Sequence, residues 1–164
     1  MDLYMVRHGI AEARDGRPDG ERRLTSEGKE KTTQVARGLE RLGCRPDIIA
    51  SSPLHRATET ADIMREVLCP NESVEIEEFL APGATARDLV GWLAGMDNYT
   101  AMIVGHNPDM PSMAAELLSN GGDLEIEFKK SAVCLVTFEG RASLGKGALR
   151  WLLQPRHLRL IGAS

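Results

Sequence analysis

Residues 4–13 read YMVRHGIAEA, an apolar run that ends at Arg7-His8-Gly9. The largely apolar residues 2–7 predict a short buried β-strand, and the polar, glycine-rich sequence after Gly9 predicts a loop. The strand would therefore carry an arginine and a histidine to its carboxyl end and break on a glycine. What these residues do depends on which other polar groups reach the same place.

Predicted helices and strands alternate along the rest of the chain. A helix is predicted from about Ser26, with Thr25 as N-cap, to a stop at Gly43. A second buried strand ends at Ser51, and Ser52-Pro53 are expected to begin the next helix. This alternation predicts a three-layer α/β/α sandwich around a mostly parallel central sheet. Further strands are predicted at 73–79, 99–105, 131–140 and 147–155, the last two as a hairpin, and further helices at about 85–95 and from 107.

Length and composition limit the classes of function. A chain of 164 residues, 42% hydrophobic and 27% charged, favours one domain covering residues 1–164. The net charge of −4 argues against a broad nucleic-acid surface. Three scattered cysteines without a CxxC pair indicate neither a disulfide framework nor a zinc site. With no signal peptide or membrane span in the pattern, we expect a cytoplasmic protein without a membrane partner.

Three predicted strands end in polar residues that would meet at one edge of a parallel sheet. They bring Arg7 and His8, the Ser51 region leading to Arg56, and His106 to the place where such sheets bind ligands. Each residue alone has a plainer interpretation: either histidine could be structural, and Arg56 could be solvated. Together with two helix N-termini they predict a pocket for a small dianion, for which phosphate is the natural candidate.

Two histidines beside two arginines indicate phosphoryl transfer. A neutral imidazole can attack phosphorus and form a covalent phosphohistidine, while the second imidazole stabilises a non-bridging oxygen. Fixed cations then take the place of Mg²⁺, and no carboxylate cluster near the strand ends has metal-ligand spacing. We therefore expect no metal and no other cofactor.

Four motifs, in order along the chain, resemble the signatures of the histidine phosphatase superfamily, also called the phosphoglycerate mutase-like family. The resemblance implies a phosphoglycerate mutase-like fold with His8 as the phosphorylated nucleophile. It also places Arg7, Arg56 and His106 around the phosphoryl group. The short length and the late segment LQPRHLRLIGAS are similar to the small SixA-type phosphohistidine phosphatases. The motifs are Arg7-His8-Gly9, LTSEG at 24–28, SSPLHRATETA at 51–61 and VGHNP at 104–108.

The resemblance also implies a general acid, since larger members carry a glutamate in an insertion that is missing here. Glu78 is the best-placed candidate, with Glu77 or no acid at all as alternatives. A short chain leaves the pocket open to a side chain displayed on another protein. An imidazole leaving group, with a pKa of ~6.5, needs an acid less than an alkoxide does.

The sequence therefore predicts a metal-independent phosphatase that acts on phosphohistidine in a partner protein. The alternatives are a small-molecule phosphomonoesterase of the same superfamily and a non-catalytic phosphate-binding module.

Overall fold

The computed structural model describes residues 1–96, 99–119 and 124–163. Among these residues there are six strands and five α-helices, and up to residue 118 strands and helices alternate, as the sequence pattern predicts. The strands are β1 (Asp2–Arg7), β2 (Ile48–Ser51), β3 (Val74–Ile76), β4 (Thr100–Gly105), β5 (Val133–Thr137) and β6 (Ala148–Leu153). The helices are α1 (Ser26–Arg41), α2 (His55–Leu68), α3 (Ala86–Leu93), α4 (Asp109–Leu118) and α5 (Pro155–Ala163).

The strands form one sheet in the order β3-β2-β4-β1-β5-β6. Neighbours from β3 to β1 are parallel, whereas β5 runs antiparallel to β1 and to β6. The prediction of a mostly parallel sheet with a hairpin at one side is confirmed. The carboxyl ends of β1, β2 and β4 therefore lie together near the middle of the sheet.

The central strand β1 is buried on both faces, which explains its continuous apolar sequence. Leu3 and Met5 pack into a core with α3 and α4, and Tyr4 and Val6 pack into a second core with α1, α2 and α5. Successive side chains point to opposite faces of a strand, so one hexapeptide contributes to both cores. The predicted three-layer arrangement is confirmed.

Two local predictions differ from the structure. Helix α2 begins at His55 with Leu54 as N-cap, rather than at Ser52-Pro53. The Ser52 hydroxyl accepts from the Leu54 N–H at 3.3 Å, one residue before the helix begins, and also lies 2.7 Å from a histidine ring. The pattern also missed α5, whose sequence after Pro155 was read only as a family marker. The Thr25 cap of α1 is confirmed, because its side chain accepts from the Gly28 N–H at 2.9 Å.

No helix among the described residues is long and apolar enough to cross a membrane.

Candidate active site

The ends of three strands are held level by the register of the sheet. Arg7, the last residue of β1, lies beside Gly105, the last residue of β4. Ser51, the last residue of β2, lies beside Val104. The residues that follow each strand therefore leave the sheet at the same height, and their side chains share one cavity.

His8 follows β1 and is 7% exposed. Its Nδ1 lies 2.7 Å from the carbonyl oxygen of Gly9, which can only accept a hydrogen bond. Nδ1 therefore carries the ring proton, and Nε2 keeps its lone pair. The same assignment follows from Arg56, whose Nε donates to His8 Nε2 at 3.3 Å.

The close packing around Gly9 explains why a glycine follows His8. A Cβ at this position would lie 2.5 Å from Oγ1 of Thr32 and 3.2 Å from Oγ of Ser131. Its backbone N–H donates to Oγ1 of Thr60 at 3.0 Å. The chain after His8 is thus packed against three hydroxyl side chains, which leaves no room for any other residue without a shift of its neighbours.

Arg56, in the first turn of α2, is 4% exposed rather than solvated. Its Nη1 donates to the Asp19 carbonyl oxygen at 2.7 Å and its Nη2 to the Asp19 carboxylate at 2.8 Å. The carboxylate also accepts from Arg22 at 2.9 Å and lies 3.3 Å from Nε of Arg14. Hydrogen bonds from Arg22 and Arg56 lower the pKa of Asp19 to about 2, so this carboxyl is ionised at neutral pH.

His106 follows β4 and is 3% exposed. Its Nε2 lies 2.7 Å from Oγ of Ser52, and that oxygen accepts from the Leu54 N–H at 3.3 Å. The Ser52 hydroxyl hydrogen is then available to Nε2, which favours the tautomer with the proton on Nδ1. Nδ1 is buried without a hydrogen-bond partner among the described residues, and the two imidazole centroids are 5.2 Å apart.

Both imidazoles are neutral at pH 7. Burial lowers the pKa of His8 from its ordinary 6.5 to about 3, with further lowering by His106, Arg56 and Arg7. Burial and then the charge of Arg56 lower the pKa of His106 to about 4. A desolvated ring surrounded by cations takes up a proton only in acid, so His8 retains a nucleophilic nitrogen at neutral pH.

Arg7 lies on the opposite side of the cavity from α2. Its Nη1 donates to the Phe128 carbonyl oxygen at 2.8 Å, and Asn107 donates to the same oxygen at 3.1 Å. Its Nε is buried without a partner among the described residues, and burial lowers its pKa. An unpaired N–H at a cavity wall is a donor available to a bound anion.

The structure brings Arg7, His8, Arg56 and His106 into one cavity of about 250 Å³. Among the described residues, its wall carries seven arginine, lysine or histidine side chains and one carboxylate. Sequence reasoning missed the residues that complete it, because they come from loops without a periodic pattern. The other lining residues are Arg14, Asp19, Arg22, Pro82, Asn107 and Lys130.

Glu78 does not line this cavity. It is exposed at the start of the short 3₁₀-helix Glu78–Leu80, four residues before Pro82, which does line it. The alternative Glu77 accepts a hydrogen bond from Nε1 of Trp92 at 3.2 Å. Among the described residues, no group of three or more histidines, cysteines or carboxylates is arranged to hold a metal ion.

The chain is also similar to known proteins. Residues 3–81 match the family model of the histidine phosphatase superfamily (branch 1). The chain is 33% identical over 138 residues to an uncharacterized protein of Picosynechococcus, covering 81% of this chain and 82% of the relative. It is 26% identical to the phosphohistidine phosphatase SixA of Escherichia coli, over 99% of both chains.

The fold is also that of a solved relative. The structure of the protein histidine phosphatase SixA complexed with tungstate superposes with a TM-score of 0.85 at 26% identity. The superposition covers 96% of this chain and 99% of that one.

Proposed function

The chain belongs to the histidine phosphatase superfamily and is a phosphatase of that family, and we propose that it hydrolyses phosphohistidine on a partner protein through a covalent phosphohistidine on His8. One observation carries the proposal: the unprotonated Nε2 of a buried, neutral His8 faces the same cavity as two arginines and a second histidine.

In the first step, the lone pair of His8 Nε2 attacks phosphorus and the bond from phosphorus to the leaving nitrogen breaks. The Gly9 carbonyl oxygen supports this step, because it holds the proton on Nδ1 and stabilises the positive charge that develops on the ring. Arg56 donates weakly to the same Nε2 in the free protein, at 3.3 Å. A bound phosphoryl oxygen would draw this guanidinium away from the lone pair, since charge-assisted bonds to an oxyanion are stronger.

Hydrogen-bond donors that are already in position stabilise the negative charge on the transferring phosphoryl group. Arg7, Arg56 and His106 all line the cavity, and Nε of Arg7 and Nδ1 of His106 are buried without a hydrogen-bond partner among the described residues. Such preorganised donors stabilise an oxyanion without reorganisation during the reaction. Three fixed donors of this kind do the work for which other phosphatases use a metal, so we propose a metal-independent reaction.

In the second step, water attacks the phosphorus of phospho-His8. The P–N bond breaks, the electron pair returns to Nε2, and inorganic phosphate leaves with the oxygen of that water. The enzyme is restored with its proton still on Nδ1. No redox partner or co-substrate other than water enters the balance.

The leaving group favours a P–N bond. The one carboxyl at the cavity, Asp19, has its pKa at about 2 and holds no proton to donate at neutral pH, and Glu78 lies outside the wall. An alkoxide, whose conjugate acid has a pKa close to that of water and far above that of imidazolium, departs poorly without a donor. A phosphohistidine protonated on its other nitrogen departs as neutral imidazole, with a conjugate acid of pKa ~6.5.

The related SixA is described as a phosphohistidine phosphatase, and its structure is a complex with tungstate, a tetrahedral oxyanion. Both facts support an oxyanion ligand and a phosphohistidine substrate here.

The test compares wild-type protein with His8→Ala and with His157→Ala as a matched histidine control. A peptide carrying ³²P-phosphohistidine and an alkyl phosphomonoester serve as substrates, each with and without EDTA. We expect acid-labile label on the wild-type and His157→Ala proteins, none on His8→Ala, faster turnover of the peptide than of the ester, and no effect of EDTA. Turnover by His8→Ala would overturn the nucleophile, faster ester turnover would favour a phosphomonoesterase, and no turnover of either substrate would favour a phosphate-binding module.

A further inference from the structure

A second cavity, of about 450 Å³, opens beside the one that holds His8. It runs between the amino-terminal half of α1, the start of α5 and residues 129–131 that lead into β5. We call it the basic groove. Six of its nine lining residues are cationic: Arg7, Lys31, Lys129, Lys130, Arg156 and Arg159.

The basic groove is continuous with the candidate active site. Arg7 and Lys130 line both cavities, so the two cavities meet at these two side chains. The backbone segments of Arg7 and Lys130 are also linked, since the N–H of Ser131, the residue after Lys130, donates to the Arg7 carbonyl at 3.0 Å. A molecule with its phosphoryl group at His8 can therefore extend into the groove without leaving the surface.

The charge of the groove is opposite to that of the chain. The whole chain carries a net charge of −4, yet no carboxylate lines the groove. Two carboxylates approach it from outside: Glu27 pairs with Lys31, and Glu127 lies 4.0 Å from Lys129. They offset part of the positive charge and leave an excess, because the groove has six cations.

A cluster of acidic side chains lies at another place on the surface. Another surface cavity, beside the edge strand β3, is lined by Asp47, Glu72 and Glu75 and by no basic residue. This separation orients an acidic partner before contact, since it approaches the basic face and is repelled from the opposite edge.

The groove is also held in shape. Its two helical walls touch through their backbones, because a Cβ on Gly38 of α1 would collide with the Leu158 carbonyl of α5. The backbones that carry Lys31 on α1 and Arg159 on α5 are thus held close to each other. A preorganised set of charges loses less entropy when it binds than a set on flexible loops.

The geometry points to a docking surface: the basic groove receives acidic side chains that flank the phosphorylated residue of the partner protein. This inference rests on the proposed function and adds a rule of substrate choice to it. A protein is favoured over a nucleic acid because the groove contains no phenylalanine, tyrosine or tryptophan on which bases could stack.

The experiment uses two phosphohistidine peptides of equal length, one with aspartate and glutamate on both sides of the phosphorylated residue and one with asparagine and glutamine instead. The measured quantity is the ratio of kcat/KM on the acidic peptide to kcat/KM on the neutral one. The test variant is Lys129→Gln/Arg159→Gln. The matched control, Lys146→Gln/Arg150→Gln, removes the same two charges from a cavity at the start of β1, at the other end of the sheet.

We expect the wild-type protein to prefer the acidic peptide and the test variant to lose about tenfold of that ratio, since an exposed ion pair contributes a factor of about two to five. The control keeps the wild-type ratio. Raising the salt concentration reduces the preference of the wild-type protein more than that of the test variant. An unchanged ratio in the test variant, or an equal loss in the control, would refute the docking role of the basic groove.

A binding measurement separates this inference from the proposed function. Fluorescence anisotropy of the labelled, unphosphorylated acidic peptide reports the groove even if no phosphohistidine is hydrolysed. Binding that depends on Lys129 and Arg159, without hydrolysis, would refute the proposed function and support the docking role of the basic groove. Hydrolysis without such binding would support the proposed function and refute the docking role. Displacement of the peptide by oligo(dT) at lower concentration than by unlabelled peptide would overturn the choice of a protein partner.

Discussion

Acidification from pH 7 to pH 5 should destabilise the free protein through two residues of the site. The pKa of His8 is lowered to about 3 and that of His106 to about 4, whereas both rings have a pKa of ~6.5 in the unfolded chain. Below pH 6.5 the unfolded chain therefore binds more protons than the folded one, and stability falls as the pH falls. At about 1.4 kcal/mol per pH unit, each ring costs about 2 kcal/mol by pH 5, or about 4 kcal/mol together.

Urea unfolding in phosphate-free buffer at pH 7, 6 and 5 measures this loss. The comparison protein is His8→Gln/His106→Gln, in which neither position takes up a proton. We expect its free energy of unfolding to fall by about 4 kcal/mol less than that of the wild-type protein over this range, whatever its stability at pH 7. Parallel pH profiles for the two proteins would refute the reasoning, because they would mean that the buried rings titrate as they do in water.

Two further substitutions test individual roles. Arg56→Ala should lower kcat/KM at least about thirtyfold, equivalent to about 2 kcal/mol, as expected for loss of an oxyanion donor. Arg56→Lys should not restore the rate, because one ammonium cannot bond both the phosphoryl group and Asp19. A wild-type rate in Arg56→Ala would place Arg56 outside the reaction, and a wild-type rate in Arg56→Lys would refute the need for a guanidinium. Glu78→Gln should leave phosphohistidine hydrolysis within about twofold of wild type and should slow alkyl ester hydrolysis if Glu78 is the acid; equal large losses on both substrates would contradict the leaving-group argument.

The fold was predictable where local pattern and burial agree. The apolar run of β1 serves two cores, so its sequence has a single interpretation, and Thr25 has the side chain that an N-cap requires. The start of α2 was not predictable, because Ser52 suits a cap equally well by its sequence. Besides the Leu54 N–H, its hydroxyl contacts His106, a residue that is distant in the chain.

The site was predictable at the residues that follow strands, since the register of a parallel sheet brings strand ends together without further information. His8 and His106 belong to this group. Asp19 does not: it lies in a polar loop, and only the folded chain shows that it accepts two hydrogen bonds from Arg56. A carboxylate in a charged loop is ordinarily solvated, so its sequence gives no signal of this contact.

The residues proposed for the reaction and the residues proposed for substrate choice also differ in how far a sequence motif describes them. The family model matches residues 3–81, which contain His8 and Arg56. Of the six cations of the basic groove, Arg7 and Lys31 lie within that range, and four lie beyond it: Lys129, Lys130, Arg156 and Arg159. No short motif can describe a surface assembled from four separate segments. If the proposed function holds, exchange of exposed charges after residue 81 would change the protein partner, while the histidines and arginines of the cavity stay in place. Grafting acidic residues at Lys129 and Arg159 should accordingly reverse the preference between acidic and basic phosphohistidine peptides before it alters the rate on a small phosphoramidate. A fall in both rates together would show that the groove and the cavity are one site.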